Sequence, residues 1–307
     1  MSKHKYSIII PCSPNKGDSM SEICKNWTEW LKSNRFAGQT PEMIEQTTKW
    51  LEAVRDVILV YAEITPYDTV IDIGTGTGLL AFKALDIQDC KGKVIFSDKF
   101  QDCLDDCKRI LDEAGVTEGY EMLLSPCEHI ALPESSVHKA LMRSVLVHIV
   151  NKQPAINEIY RILKPGGKFC AFEPVIRSNT RYWEILHPMY IDKYEDFRRV
   201  ENEIMENPLD SLCNFDQDTL KTNLEIAGFS IPEVKVQEVR SKYVVQPNMV
   251  NEWFNNPPSP GQPTTKQRYM KYFDEPTVDK YMQDIQNYLT GREIDLKTNA
   301  VFINATK

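Results

Sequence analysis

One stretch constrains this chain more than any other: Val70 to Phe82, "VIDIGTGTGLLAF". An apolar run is interrupted by an aspartate, three glycines alternate with threonines, and apolar residues resume. The segment before the glycines reads as a short buried strand, and the run after Gly78 reads as a helix. A strand turning through glycines into a helix opens a βαβ unit, whose parallel sheet is covered on both faces. Such a turn lets a ligand approach the backbone closely, because no Cβ stands in the way.

The same period recurs downstream. "KVIFSD" is a second strand, "DCLDDCKRILDEAGV" a helix ending at Gly115, and "YEMLLS" and "HKALMRSVL" a third and fourth strand. "QPAINEIYRILKPGG" places Ile156, Ile159, Tyr160 and Leu163 on one helical face, with Pro165 and Gly166 as its stop, and "KFCAFEP" is a fifth strand. Two helices are expected upstream. "SEICKNWTEWLKSNRF" carries Ile23, Trp27, Trp30 and Leu31 at helical spacing; the second helix starts with Thr40 as N-cap and Pro41 in its first turn. After Pro174 the chain reads as an aromatic-rich helix "RYWEILHPMYIDKYEDFRRVENEIM", an amphipathic helix "DQDTLKTNLEIAGF" and a strand-like "PEVKVQEVRSKYVV". The loop "NNPPSPGQPTTKQ", the helix "TVDKYMQDIQNYLTG" and a closing strand "NAVFINATK" follow. The expected division is a helical cap over 1–65, a core over 66–175, and over 176–307 the remainder of the core with helical insertions.

Composition removes several functions. With 307 residues and a formal net charge of -8, the chain lacks the basic footprint of nucleic-acid or anionic-membrane binding. No apolar run approaches the roughly 20 residues of a membrane helix. The three isoleucines near the N-terminus are too few for a signal peptide. Eight cysteines are scattered without a CxxC pair, which fits reduced, mostly buried thiols in the cytoplasm. Cys103 and Cys107 share a helical face with Ile110, Leu111 and Ala114, a core pattern rather than a metal site.

The glycine spacing selects the ligand. A dinucleotide loop needs G-x-G-x-x-G, and here Leu79 occupies the third glycine's place. No GK[ST] follows, so a Walker loop is excluded. Asp72, two residues ahead of Gly74, repels a pyrophosphate and suits a cation. S-adenosylmethionine offers a sulfonium and an ammonium and no phosphate. Asp98, ending the second strand, can accept two hydrogen bonds from a ribose diol.

"VIDIGTGTG", "FSD", "SPCEHIALPESSVHKALMRSVLVHI" and "EIYRILKPGGKFCAFEP" together resemble the motifs of class I S-adenosylmethionine-dependent methyltransferases. Within that class they are most similar to the ubiquinone/menaquinone-biosynthesis type. The resemblance runs from about residue 68 to 175, with a fainter match to the closing strand. It implies a Rossmann-like, seven-stranded, mostly parallel sheet with helices on both faces, an N-terminal helical cap and C-terminal insertions. It also implies S-adenosyl-L-methionine as cofactor and S-adenosyl-L-homocysteine as product. The cofactor-binding residues it implies are Asp72, Gly74, Thr75, Gly76, Thr77, Gly78, Asp98, Lys99, Cys127, Glu128 and Ser144. Pro126 departs from the pattern, standing where the family often has aspartate.

Methyl transfer from a sulfonium asks the protein mainly for proximity, orientation and a dry site. Where the acceptor must lose a proton a base is needed, and the candidates are His148 in "VLVHIV" and His187 in "WEILHPMY". The aromatics outside the sheet, Trp27, Trp30, Tyr182, Trp183, Tyr190, Tyr194, Trp253, Tyr269, Tyr272, Phe273 and Tyr281, have two readings: packing under a helical lid, or an apolar acceptor pocket. The expected activity is methyl transfer to O, C or N of a small, apolar or aromatic molecule, by a monomer or homodimer. The alternatives are a non-methylating protein of the same fold, an arsenite-type methyltransferase and, as an outsider, a nicotinamide dehydrogenase.

Overall fold

The computed structural model describes residues 41–307. The helix expected over 21–36, with Trp27 and Trp30, lies outside the described residues. Helix α1 (Pro41–Ala62) leads into β1 (Thr69–Ile73), α2 (Leu79–Gln88), β2 (Lys93–Asp98), α3 (Gln101–Glu113), β3 (Tyr120–Leu124), β4 (Val137–Arg143), α4 (Lys152–Ile162) and β5 (Leu163–Pro174). An insertion then holds α5 (Tyr182–Ile185) and α6 (Tyr194–Met205), followed by α7 (Gln217–Ala227) and β6 (Ser230–Val244). A second insertion holds α8 (Met249–Asn255), α9 (Thr265–Tyr269) and α10 (Glu275–Leu289), and β7 (Glu293–Thr306) closes the sheet.

The seven strands lie in the order β3-β2-β1-β4-β5-β7-β6. β1 to β5 pair in parallel, and β7 runs antiparallel between β5 and β6. Alternate strand residues serve opposite faces. Ile71, Ile95, Ala140, Phe169 and Ile303 pack with α4 and α7 on one face; Val70, Phe96, Leu141, Phe172 and Phe302 pack with α1, α2 and α3 on the other. The described part of the N-terminal cap is therefore a layer of the sheet itself. The strand order reverses between β1 and β4, which opens a crevice at their C-terminal ends, where ligands of open α/β sheets bind.

The insertions build a third core. Phe197 of α6 stacks on Tyr281 of α10 with ring centroids 3.7 Å apart, and Phe254, Tyr269 and Val278 fill around them. This core separates the two readings of the aromatics by residue. Tyr281 is lid packing, whereas Tyr182, Trp253 and Tyr269 also line a cavity.

Three local expectations change. The aromatic stretch expected as one helix is split into α5 and α6 by Pro188 and by Lys193, which adopts φ +53°. The segment "LKPGG" does not end the helix as a loop: α4 stops at Ile162, and Leu163 pairs with Val137 as the first residue of β5. β4 ends at Arg143, short of Leu146. The cause is the buried Glu173 carboxylate, which accepts hydrogen bonds from Val145 N (2.8 Å), Leu146 N (3.1 Å) and Val147 N (3.1 Å) and turns the chain there.

Candidate active site

The crevice is a cavity of about 380 Å³. Its floor is the β1–α2 turn. Gly74, Gly76 and Gly78 all take positive φ (+68°, +52° and +80°), a region that side chains avoid. Two of them also have no room for a side chain. A Cβ on Gly74 would lie 2.4 Å from Val145 Cγ2, and one on Gly78 would lie 2.3 Å from Phe82 Cε2. The glycines thus let the turn fold back beneath β4 and against α2.

Asp72 is almost fully buried at the end of β1. Its Oδ2 accepts from Thr75 Oγ1 (2.8 Å) and Ala81 N (3.1 Å), tying the turn to the first turn of α2. Burial pushes its carboxyl up to about 7, against those two hydrogen bonds. A cation in the cavity favours the ionised form.

Asp98 is held from both sides. Gly76 N donates to Oδ2 (2.9 Å) and Phe100 N to Oδ1 (3.0 Å). A carboxylate has about four acceptor positions, so two remain for a vicinal diol. Burial raises the Asp98 pKa, with these backbone donors opposing the rise. After β3, Ser125 organises the next wall: its Oγ donates to His129 O (2.8 Å) and accepts from Ala131 N (3.0 Å). Ser125, Cys127 and Glu128 line the cavity there.

Of the eleven cofactor residues named from sequence, Asp72, Gly74, Thr75, Gly76, Thr77, Asp98, Lys99, Cys127, Glu128 and Ser144 line this one cavity. Gly78 instead shapes the start of α2 behind it. The arrangement fits S-adenosylmethionine: a diol acceptor, a buried acid for a cationic group and glycine backbone between them. Sequence reading missed the wall from α1. Thr48, Leu51, Glu52 and Arg55 line the cavity, and Arg55, paired with Asp56 (2.8 Å) and Glu52 (3.8 Å), is the cation among them. Thr48 and Leu51 recur with Val54 and Ile58 at helical spacing, a pattern that by itself signals core packing.

The histidines part ways. His148 lines the cavity, with Nδ1 3.4 Å from Ser259 Oγ. Burial, helped by Lys99 and Lys152, lowers its pKa to about 4, so the ring is neutral at neutral pH. His187 is not brought to the cleft. It is exposed, and Nδ1 accepts from Met189 N (3.2 Å) to cap the turn begun by Pro188. The ring caps a turn and lines neither cavity, which runs against the expectation of His187 as a base in the cleft.

A second cavity of about 490 Å³ adjoins the first under the two insertions. Ile176, Leu212 and Pro258 line both. Its walls include Tyr182 and Trp253, whose rings stack at 6.1 Å and 19°.

Comparison with known proteins agrees with this architecture. Residues 64–241, more than half of the chain, match the model of a family described as a methyltransferase domain. The ubiquinone/menaquinone biosynthesis C-methyltransferase of Escherichia coli is 26% identical over 172 residues, covering 52% of this chain and 66% of that protein. The chain thus spans just under two thirds of the length of the curated relatives it matches. Among solved structures, the YcgJ protein from Bacillus subtilis superposes with a TM-score of 0.53 at 16% identity, covering 83% of this chain and 98% of that one. A putative methyltransferase from Bacillus halodurans gives 0.52 at 18% identity, with 83% and 99% coverage. These two likenesses are of fold. Glycine turn, Asp98, sheet order and family match coincide on one crevice: the chain belongs to the methyltransferase-domain family and has the class I S-adenosylmethionine-dependent methyltransferase fold.

Proposed function

We propose that this protein transfers the methyl group of S-adenosylmethionine to a small molecule held beneath the insertions. The observation that carries this reading is the pair of adjoining cavities. One is lined by the glycine turn, Asp72 and Asp98, the other by aromatic rings, and Ile176, Leu212 and Pro258 border both. When bound, S-adenosylmethionine supplies a methyl group on a sulfonium, already a good leaving group. Asp98 would hold the ribose hydroxyls through its remaining acceptor positions. Asp72 and Arg55 offer opposite charges for an amino-acid end. Leu51, Leu79, Val147 and Ile149 keep the space apolar. His148, neutral and facing the cavity, is positioned to accept a hydrogen bond from an acceptor's hydroxyl. Its low pKa makes it a weak base, which favours acceptors that are acidic themselves.

The arsenite-type alternative is less well supported. It needs reactive thiolates, and burial pushes the Cys127 thiol up and that of Cys213 up to about 11. The six described cysteines are free, and no helix among the described residues is long and apolar enough to cross a membrane.

The test is calorimetry with S-adenosylhomocysteine and NAD on the wild type and Asp98→Ala. Micromolar binding of S-adenosylhomocysteine, weakened by about ten- to a hundredfold in the variant, is expected from loss of a charged hydrogen-bond acceptor. Binding of NAD alone would overturn the reading.

A further inference from the structure

The second cavity has a polar feature that its aromatic walls do not use. Arg268, on α9, is 8% exposed and lines the cavity. Its Nε donates to Pro263 O (3.2 Å), and its Nη1 pairs with the Asp210 carboxylate. Nη2 is buried and has no hydrogen-bond acceptor among the described residues. A buried donor without a partner carries a desolvation cost that a ligand's acceptor would remove.

The charges around it are unevenly committed. Glu201 accepts from Tyr182 N (2.8 Å) with one oxygen and from Trp183 N (3.4 Å) with the other. Glu252 accepts from the Asn248 and Asn256 side chains. The acids on the wall are thus occupied by the protein's own donors. Two further cations line the cavity: Arg181, whose guanidinium donates to Asn179 O (3.1 Å) and Arg177 O (2.6 Å), and Lys297, half-buried on β7. A guanidinium nitrogen without an acceptor and a lysine in the same lining suit one carboxylate. A phosphate dianion is disfavoured, because two carboxylates line the same space and only one fork nitrogen is left. The remaining wall, Tyr182, Trp253 and Tyr243, suits an aromatic or apolar body, and the cavity lies within the usual range for small-molecule sites.

We propose that the second cavity takes an acceptor with an aromatic or apolar body and a single carboxylate, with Arg268 and Lys297 as the residues that select the acid. This rests on reading the adjoining cavity as the methyl-donor site. Arg268 holds the acid end, and the shared rim of Ile176, Leu212 and Pro258 directs the other end toward the first cavity. Arg268 is a specificity residue in this scheme and touches no transferring atom.

The experiment uses the full chain saturated with S-adenosylhomocysteine and two isosteric probes, 2-naphthoate and 2-naphthamide, titrated by calorimetry. The acid is expected to bind at least about tenfold tighter than the amide, the gain typical of a charge-assisted hydrogen bond. In Arg268→Gln the ratio should fall toward one with amide affinity kept. That substitution strands the Asp210 carboxylate and can unfold the insertion, so Lys297→Gln, at a half-buried strand position, is the second variant. It should reduce the acid preference several-fold while S-adenosylhomocysteine binding stays unchanged. Equal affinity for acid and amide in the wild type, no binding of either, or an acid preference that survives both substitutions would each overturn the proposal. Failure of S-adenosylhomocysteine itself to bind would instead overturn the methyl-donor reading on which it rests.

Discussion

Replacing Gly74 by alanine tests whether the glycine turn is shaped by the strand beside it. Gly74 sits at φ +68°, and an alanine there carries left-handed strain of about 1–2 kcal/mol. Its Cβ would also lie 2.4 Å from Val145 Cγ2, about 1 Å inside ordinary carbon contact. Val145 cannot simply swing away. Its backbone N–H is held by the Glu173 carboxylate at 2.8 Å, so the side chain or the turn must be displaced. Overpacking of that kind costs about 1–3 kcal/mol, so Gly74→Ala should lose about 2–5 kcal/mol in all. The second substitution separates the two contributions. Val145→Ala removes both Cγ atoms and leaves Val145 Cβ at 3.5 Å from the new methyl, an ordinary contact. The double variant should therefore be less destabilised than the sum of the singles by about 1–3 kcal/mol, with only the backbone strain remaining. Urea denaturation followed by circular dichroism gives the four free energies, and calorimetry with S-adenosylhomocysteine reports whether the cavity survives. Strict additivity would refute the steric argument. A Gly74→Ala protein within about 0.5 kcal/mol of wild type would refute the strain argument as well.

Acid–base behaviour follows from buried carboxyls. Asp72, Glu173 and Glu201 are pushed by burial from 3.8, 4.5 and 4.5 to about 7. A folded pKa raised above the unfolded one gives stability that is fully present below the unfolded value and lost as pH rises through the folded one. Their contribution to stability should decline between about pH 4 and pH 7.5, and Glu173→Gln should remove its share of that slope in denaturation curves at stepped pH. At pH 7 a cationic ligand beside Asp72 should expel a proton from it. Calorimetry of S-adenosylhomocysteine in buffers of different ionisation enthalpy should show proton release that Asp72→Asn abolishes. Tyr281→Ala should cost about 3–5 kcal/mol in the lid core by losing its stack on Phe197, while S-adenosylhomocysteine affinity changes little. An equal loss of affinity would mean that the lid is part of the donor cavity.

Sequence reading located the residues whose place in the fold is set by their neighbours along the chain. The β1 turn, Asp98 at the end of β2 and the walls at Cys127 and Ser144 all lie within a few residues of a strand's C-terminal end, and parallel strands bring those ends to one edge. It failed where the partner is remote. Nothing local to Glu173 shows that its carboxylate turns back 26 to 28 residues to pin Val145, Leu146 and Val147. His187 had the right residue type beside the right strand, but Pro188 begins a turn and the ring caps it. "NNPPSPGQPTTKQ" has the composition of a solvated loop, and yet Ser259 within it is fully buried and approaches His148, while Pro258 lines both cavities. That loop also leads into α9 and delivers Arg268 to the second cavity. The first cavity is thus written in strand ends and glycines. The second is written in contacts between two insertions far apart in sequence. Its chemistry is therefore read only after the third core has folded and shown which charged groups are left facing the cavity.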